Sequence, residues 1–296
     1  MATGVVERLA PSTATALGIV RAVVHGAFLL NVLFASFTDL GALPATVMRP
    51  TGAMQLVPWG LYDALLTPAG MLAFKALMVA SLLLGALGVW APVTAKSSAA
   101  LVLFYEGLLR SFGHFNHDEM TAVYALVVLA FVPCGDGFAL GRGRARGAAR
   151  GWVYGYPVLL VRLLVAWTYF SAGLIKLRVA GLRYFDPDNL PALFVFHSLD
   201  NLHDTHYRLA FALTDYRAYA PPLAALVVLW ELLFPLAVVS PRARWWVLGF
   251  GVFFHVSTVF TMNVFFPFHL ALYLVFVNWD AAAGWVRGRR PEAGDP

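Results

Sequence analysis

Apolar residues run along this chain in long blocks separated by short polar connections. A helix needs about 20 mostly apolar residues to cross a bilayer. On that rule the pattern predicts spans near 14–36, 70–92, 97–112, 120–134, 152–176, 219–240, 244–262 and 265–280. The fourth and eighth blocks are short, so seven and nine spans also fit. The predicted fold is an all-α integral membrane protein, a bundle of about eight transmembrane helices. Two longer connections, 37–69 and 177–218, contain the amphipathic stretches AMQLVPWGLYDALL and LPALFVFHSLDNL. These mix Trp, Phe and Leu with a few polar residues, as helices lying flat in an interface do. Residues 1–280 read as a single transmembrane domain. Residues 281–296, ending RGRRPEAGDP, read as a basic disordered tail. No internal repeat or soluble domain is evident.

Composition sharpens this picture. Of 296 residues, 60% are apolar and 12% charged, and the mean hydropathy is +0.72. Soluble domains carry about twice that charged fraction. The single Cys134 excludes an intramolecular disulfide framework and a thiolate metal cluster. The net charge of +5 does not point to nucleic acid, because the basic residues sit in short clusters between apolar blocks. Such clusters report topology. With eight spans and the N-terminus inside, the inner segments hold Arg8, Lys96, Arg142, Arg144, Arg146, Arg150, Arg242, Arg244, Arg287, Arg289 and Arg290. The outer segments hold only Arg49, Arg178, Arg183, Arg208 and Arg217. Eleven against five is the positive-inside asymmetry, which places both termini in the cytoplasm and the protein in the inner membrane. The first apolar block is too long for a signal-peptide core and reads as a span. The abundance of Ala, Gly, Val and Arg suits a GC-rich bacterial genome.

That topology sorts the polar residues by depth. His114 and His117 fall in SFGHFNHDEM, the outer connection between spans three and four. His197, His203 and His206 fall in the second outer segment. His269 lies near the outer end of span eight, His255 within span seven, and Lys176 at the outer end of span five. The groups able to do chemistry therefore converge on the outer half, with His25 apart at intermediate depth.

Charges inside a membrane are costly and call for pairing or function. Glu106 and Arg110, four apart, fit an i,i+4 ion pair. Arg21 and His25 share a helix face and fit a structural hydrogen-bond network. Glu231 is expected to pair with Arg21 or Arg162, or to move a proton. Lys75 and Arg162 lie close enough to span ends to snorkel.

Lys176 closes the run TYFSAGLIKLR. At about 100° per residue, Tyr169 and Arg162 lie within about 40° of it, and Gly173 within about 60°. Span five thus carries a narrow polar stripe that a lipid-facing helix would not need. A partly dry lysine can be neutral near pH 7 and act as a base; a lysine at a span end can equally be an anchor. The sequence GHFNHDE with HDTH at 203–206 also allows a metal site built from His114, His117, His203 and His206. Phosphate-binding, dinucleotide-binding and serine-nucleophile motifs are absent.

Three segments together carry a resemblance: YFSAGLIKL at 169–177, FNHDEMTAVYALVVLAF at 115–131, and FGVFFHVSTVFTMNVFFPFHLALYL at 250–274. They resemble the membrane domain of vitamin K-dependent γ-glutamyl carboxylase, a member of the horizontally transferred transmembrane domain (HTTM) proteins. The pattern Tyr-Phe-x-Ala-Gly-x-x-Lys-Leu falls at Tyr169, Phe170, Ala172, Gly173, Lys176 and Leu177. The Asn-His pair falls at Asn116 and His117. The weaker third match takes in Phe254, His255, Asn263, Phe266 and Pro267. The segments keep the family's order, and the resemblance covers roughly residues 14–280.

The resemblance implies a specific chemistry. Lys176 would deprotonate a reduced quinone, vitamin K hydroquinone or menaquinol. His117, with Asn116, would hold the developing oxyanion, and His255 would lie near the same pocket. On the helical wheel, Tyr169 would support Lys176, while His114, Glu231 and Arg162 would complete the surroundings. No metal is expected, since histidines three apart in a loop are common and no full set of histidine boxes appears. The carboxylase has a large extra-membrane region for its peptide substrate, to which nothing here corresponds. The expectation is therefore quinol chemistry on a small peptide or lipid, or with a separate soluble subunit. The other readings are a non-catalytic membrane partner, an immunity or lipid-handling protein, and a metal-dependent membrane oxidoreductase using the outer histidines.

Overall fold

The structure, a computed structural model, describes residues 4, 9–114, 119–140, 151–200 and 209–286. Helix is the regular structure of these residues, and they form no β-sheet. The chain is an all-α membrane protein. Among the described residues, four helices are long and apolar enough to cross a membrane: α1 (Ala14–Phe34), α4 (Pro68–Leu87), α7 (Trp152–Val179) and α12 (Pro241–Met262). Helix α5 (Ala91–Ser111) matches them in length but carries Thr94, Lys96, Ser97, Ser98, Glu106 and Arg110. Shorter helices make up the rest: α2 (Phe37–Gly41), α3 (Trp59–Leu65), α6 (Met120–Ala130), α8 (Asn189–Asp200), α9 (Leu209–Leu213), α10 (Ala220–Leu233), α11 (Leu236–Val239), α13 (Pro267–Tyr273) and α14 (Trp279–Val286). Over the described residues both amphipathic stretches of the long connections are largely helical, the first in α3 with the preceding 3-10 turn Gly52–Leu56, the second in α8.

Local chemistry sets the helix ends. Thr13, Thr67 and Ser240 accept hydrogen bonds from Ala16 N, Gly70 N and Ala243 N, satisfying first-turn donors that have no intrahelical partner. Proline occupies the first position of α4, α12 and α13, where its missing N–H costs nothing. Asn263, at φ 55°, ends α12 in the left-handed conformation that Asn tolerates. The sixth apolar block, 219–240, is not one helix. It breaks at Phe234–Pro235 into α10 and α11, because Pro235 has no N–H to continue the ladder.

Contacts divide the chain into two units. The first comprises Met1–Val161 with Val277–Asp295, and the second Arg162–Phe276. The first boundary falls within α7.

In the first unit, α1 packs on α4, α6 and α14, and α4 packs on α5. Several of its polar side chains bond to backbone carbonyls. Arg21, fully buried, donates to Cys134 O at 2.7 Å, Phe138 O at 2.5 Å and Ala86 O at 3.3 Å. His25 Nδ1 meets Arg21 O at 2.9 Å. Together these form the hydrogen-bond network expected from their shared helix face. Lys75 Nζ donates to Leu33 O and Ala35 O at the end of α1. Ser81 Oγ bonds Ser97 and Ser98 across α4 and α5. Each pairing satisfies a polar group that apolar surroundings could not.

In the second unit, α12 packs on α8, α9, α10, α11 and α13, and the 3-10 turn Gly181–Phe185 packs on α8 and α10. Leu190, Phe194, Ala210 and Ala220 form a small core beneath these elements.

Candidate functional site

The C-terminal half of α7 carries the site in the second unit. Lys176 forms an ion pair with Glu231 of α10. Its side chain is 27% exposed, while that of Glu231 is 5% exposed. Glycine at 173 makes the approach close: a Cβ there would lie 3.0 Å from Glu231 Cβ and 3.2 Å from Leu232 Cγ. Glu231 Oε2 is buried without a hydrogen-bond partner among the described residues. The Tyr184 ring, on the 3-10 turn, lies 6.0 Å from Lys176 Nζ, the outer limit of a cation–π contact. Burial, and then the Glu231 charge, push the Tyr184 hydroxyl up to about 12. The ring therefore meets the ammonium as a neutral phenol.

Two turns back along α7, Tyr169 anchors a second cluster. Its hydroxyl lies 2.6 Å from His255 Nε2 of α12, and Tyr273 Oη of α13 donates to it at 2.7 Å. Glycine at 251 admits Tyr273, since a Cβ there would sit 2.3 Å from Tyr273 Oη. His269, one turn before Tyr273, has its ring 5.3 Å from that of His255. The Nδ1 atoms of His255 and His269 are both buried without a partner among the described residues. With Tyr273 donating to Tyr169 and Tyr169 to His255 Nε2, the chain of hydroxyls assigns the His255 proton to Nδ1. Apolar rings wall the cluster. Phe234 stacks on Tyr169 at 4.1 Å, Trp230 meets it edge-on at 4.9 Å, and Phe266 lies 5.1 Å from His255. The break at Pro235 thus coincides with the ring that stacks on Tyr169.

Several expectations change here. Glu231 pairs with Lys176, and neither arginine proposed for it takes that place: Arg21 is committed to carbonyls in the first unit, and Arg162 Nε donates to Val275 O at 3.0 Å. Arg162 does not snorkel; it is 4% exposed and lies over Phe276, because a carbonyl partner is within its reach. Tyr169 does not touch Lys176. Its hydroxyl is committed to His255 and Tyr273. The stripe of Arg162, Tyr169 and Lys176 is nonetheless turned toward partners, each group meeting a different helix or turn.

His114 is exposed at the end of α5 in the first unit. Asn116, His117, His203 and His206 lie outside the described residues. Of the four histidines in the alternative metal set, only His114 is described, and no group of three or more His, Cys, Asp or Glu among the described residues could hold a metal. Sequence reasoning passed over Tyr273, His269 and Tyr184 as site residues. The spacing of His269 and Tyr273, four apart on one helix, carried a signal for two of them; nothing local marked Tyr184.

Compared with protein-family models, curated proteins and solved structures, the chain matches none. Function therefore rests on the chemistry of the residues themselves.

Proposed function

We propose that the chain is an HTTM-type enzyme that removes a proton from a quinol or similar weakly acidic, lipid-soluble substrate, with Lys176 as the base. In this reading eight spans cross the inner membrane and both termini are cytoplasmic. The two long connections lie in the outer interface, and the site opens outward. The observation that carries the reading is the ion pair of a partly exposed Lys176 with a buried Glu231. Two turns back on the same helix, Tyr169 joins a hydroxyl–imidazole chain with Tyr273 of α13 and His255 of α12. An anchor would need only water, whereas this lysine is held by a carboxylate inside an apolar unit.

The residues fit a reduced quinone, which supplies an acidic aromatic hydroxyl. The rings of Trp230, Phe234 and Phe266 pack around Tyr169 and His255, and His255 Nδ1, buried without a partner among the described residues, is a polar atom that a substrate oxygen would satisfy. Lys176 takes the substrate proton and remains beside the oxygen as an ammonium. By the resemblance, Asn116 and His117, which lie outside the described residues, would take the part of hydrogen-bond donors to the developing charge; preorganised donors in a dry site are an effective way to hold such charge. The acceptor of the next step is a small peptide or lipid, or is brought by a separate soluble subunit. No metal takes part, which elemental analysis of the purified protein checks.

The test is binding of menaquinol or vitamin K hydroquinone to purified protein in detergent. Binding that is lost in Lys176→Ala, with the variant still monodisperse, is the expected result. Equal binding by wild type and variant, with unchanged activity in cells, would sink it. One observation favours a non-catalytic reading: a Lys176–Glu231 pair can simply pin α7 to α10. Under that reading Lys176→Ala lowers thermal stability and no quinol binds to either protein.

A further inference from the structure

The charge pair at the end of α7 has a free side. Lys176 Nζ donates to Glu231 Oε1, while Oε2 of the same carboxylate is buried and unpartnered among the described residues. In that pair the lysine holds the proton. An ammonium has three donors and no acceptor, so it cannot take a proton from a substrate until it has passed one on. The carboxylate touching it is the acceptor at hand. Exposure orders the two groups: Lys176, at 27%, is reachable from outside the unit, and Glu231, at 5%, stands behind it.

Resting on the proton-abstracting role proposed for Lys176, we infer that Glu231 is the proton acceptor behind it, so that the base is a lysine–glutamate relay. The substrate O–H bond breaks, and its proton goes to the Lys176 nitrogen. One N–H of Lys176 breaks at the same time, and that proton goes to the Glu231 carboxylate. The electron pair stays on the substrate oxygen. Lys176 is an ammonium before and after, Glu231 ends neutral, and the substrate carries the negative charge. The new anion replaces the carboxylate as the ammonium's counter-charge, so charge separation in the apolar unit does not grow. Glu231 acts through Lys176 and is a positioning residue as well as the proton's destination. Gly173 belongs to the device, because a side chain there would press on Glu231.

Two measurements on the full chain decide it. The first is acylation of lysines in detergent by an amine-reactive reagent, read by peptide mass spectrometry. The chain has only Lys75, Lys96 and Lys176, and the exposed Lys96 serves as internal reference. Glu231→Gln is expected to raise acylation of Lys176 relative to Lys96 by about tenfold or more, because the ammonium loses the counter-charge that holds its proton. Glu231→Asp, which keeps the charge, is expected to stay near wild type. An unchanged Lys176 in a monodisperse Glu231→Gln protein overturns the inference. The second is infrared difference spectroscopy on adding vitamin K hydroquinone. A protonated-carboxyl band that shifts with 13C-glutamate labelling, disappears in Glu231→Gln and moves in Glu231→Asp is the expected result. Its absence in wild-type protein that binds the hydroquinone overturns the relay and leaves the quinol reading standing. Failure of wild type to bind the hydroquinone, with the acylation contrast intact, overturns that substrate and supports the pair. Should Glu231→Gln fail to fold, the labelled wild type and Glu231→Asp decide through the infrared band.

Discussion

Tyr169 shows how much one hydroxyl holds in place. It accepts from Tyr273 and meets His255 Nε2, so removing it leaves two buried polar groups without partners. Tyr169→Phe keeps the stacking on Phe234, which separates the polar from the apolar contribution. The variant is expected to lose about 1–3 kcal/mol, the cost of orphaned buried polar atoms, read as a lower melting temperature in detergent. At this scale sequence reasoning went part of the way. A spacing of seven residues put Tyr169 and Lys176 on one stripe of α7, and the structure turns both toward partners. It did not find the partner of Lys176, since Glu231 lies 55 residues away and only tertiary packing brings the two together. The two arginines matched to Glu231 by charge instead donate to backbone carbonyls that packing brings within reach, which the sequence pattern does not show.

Among elements, the packing of α12 against α13 depends on a missing side chain. A Cβ at position 251 would fall 2.3 Å from Tyr273 Oη, so Gly251→Ala must displace the tyrosine from Tyr169. The expected cost is about 1–3 kcal/mol. Tyr273→Phe, which removes the clashing oxygen, should recover part of it in the double variant. A fall in melting temperature that Tyr273→Phe leaves unrelieved would contradict this packing. In the first unit, Arg21 closes carbonyls of Ala86, Cys134 and Phe138. Arg21→Leu is expected to cost about 3 kcal/mol or more through these orphaned acceptors and to reduce the yield of folded protein. Helix positions were readable in the apolar blocks, because burial in lipid leaves a run of apolar residues. The break in the sixth block was signalled by Pro235. What the break is for was not readable, because the stacking of Phe234 on Tyr169 joins residues distant in sequence.

For the whole molecule, the apolar blocks make it a membrane protein, and charge asymmetry gives the proposed orientation. Cysteine labelling with a membrane-impermeant thiol reagent checks that orientation. The native Cys134 is buried and should stay silent. Arg183→Cys is expected to react from the outside in intact cells, and Lys96→Cys only after permeabilisation. The reverse pattern would put the Lys176 site on the cytoplasmic face.

The most direct measurement of the central claim is the absorbance difference spectrum of vitamin K hydroquinone bound to the purified protein. The account predicts the band of the deprotonated hydroquinone with wild type, and its loss in Lys176→Met. A bound hydroquinone that stays protonated in wild type, or is deprotonated equally without Lys176, would contradict it.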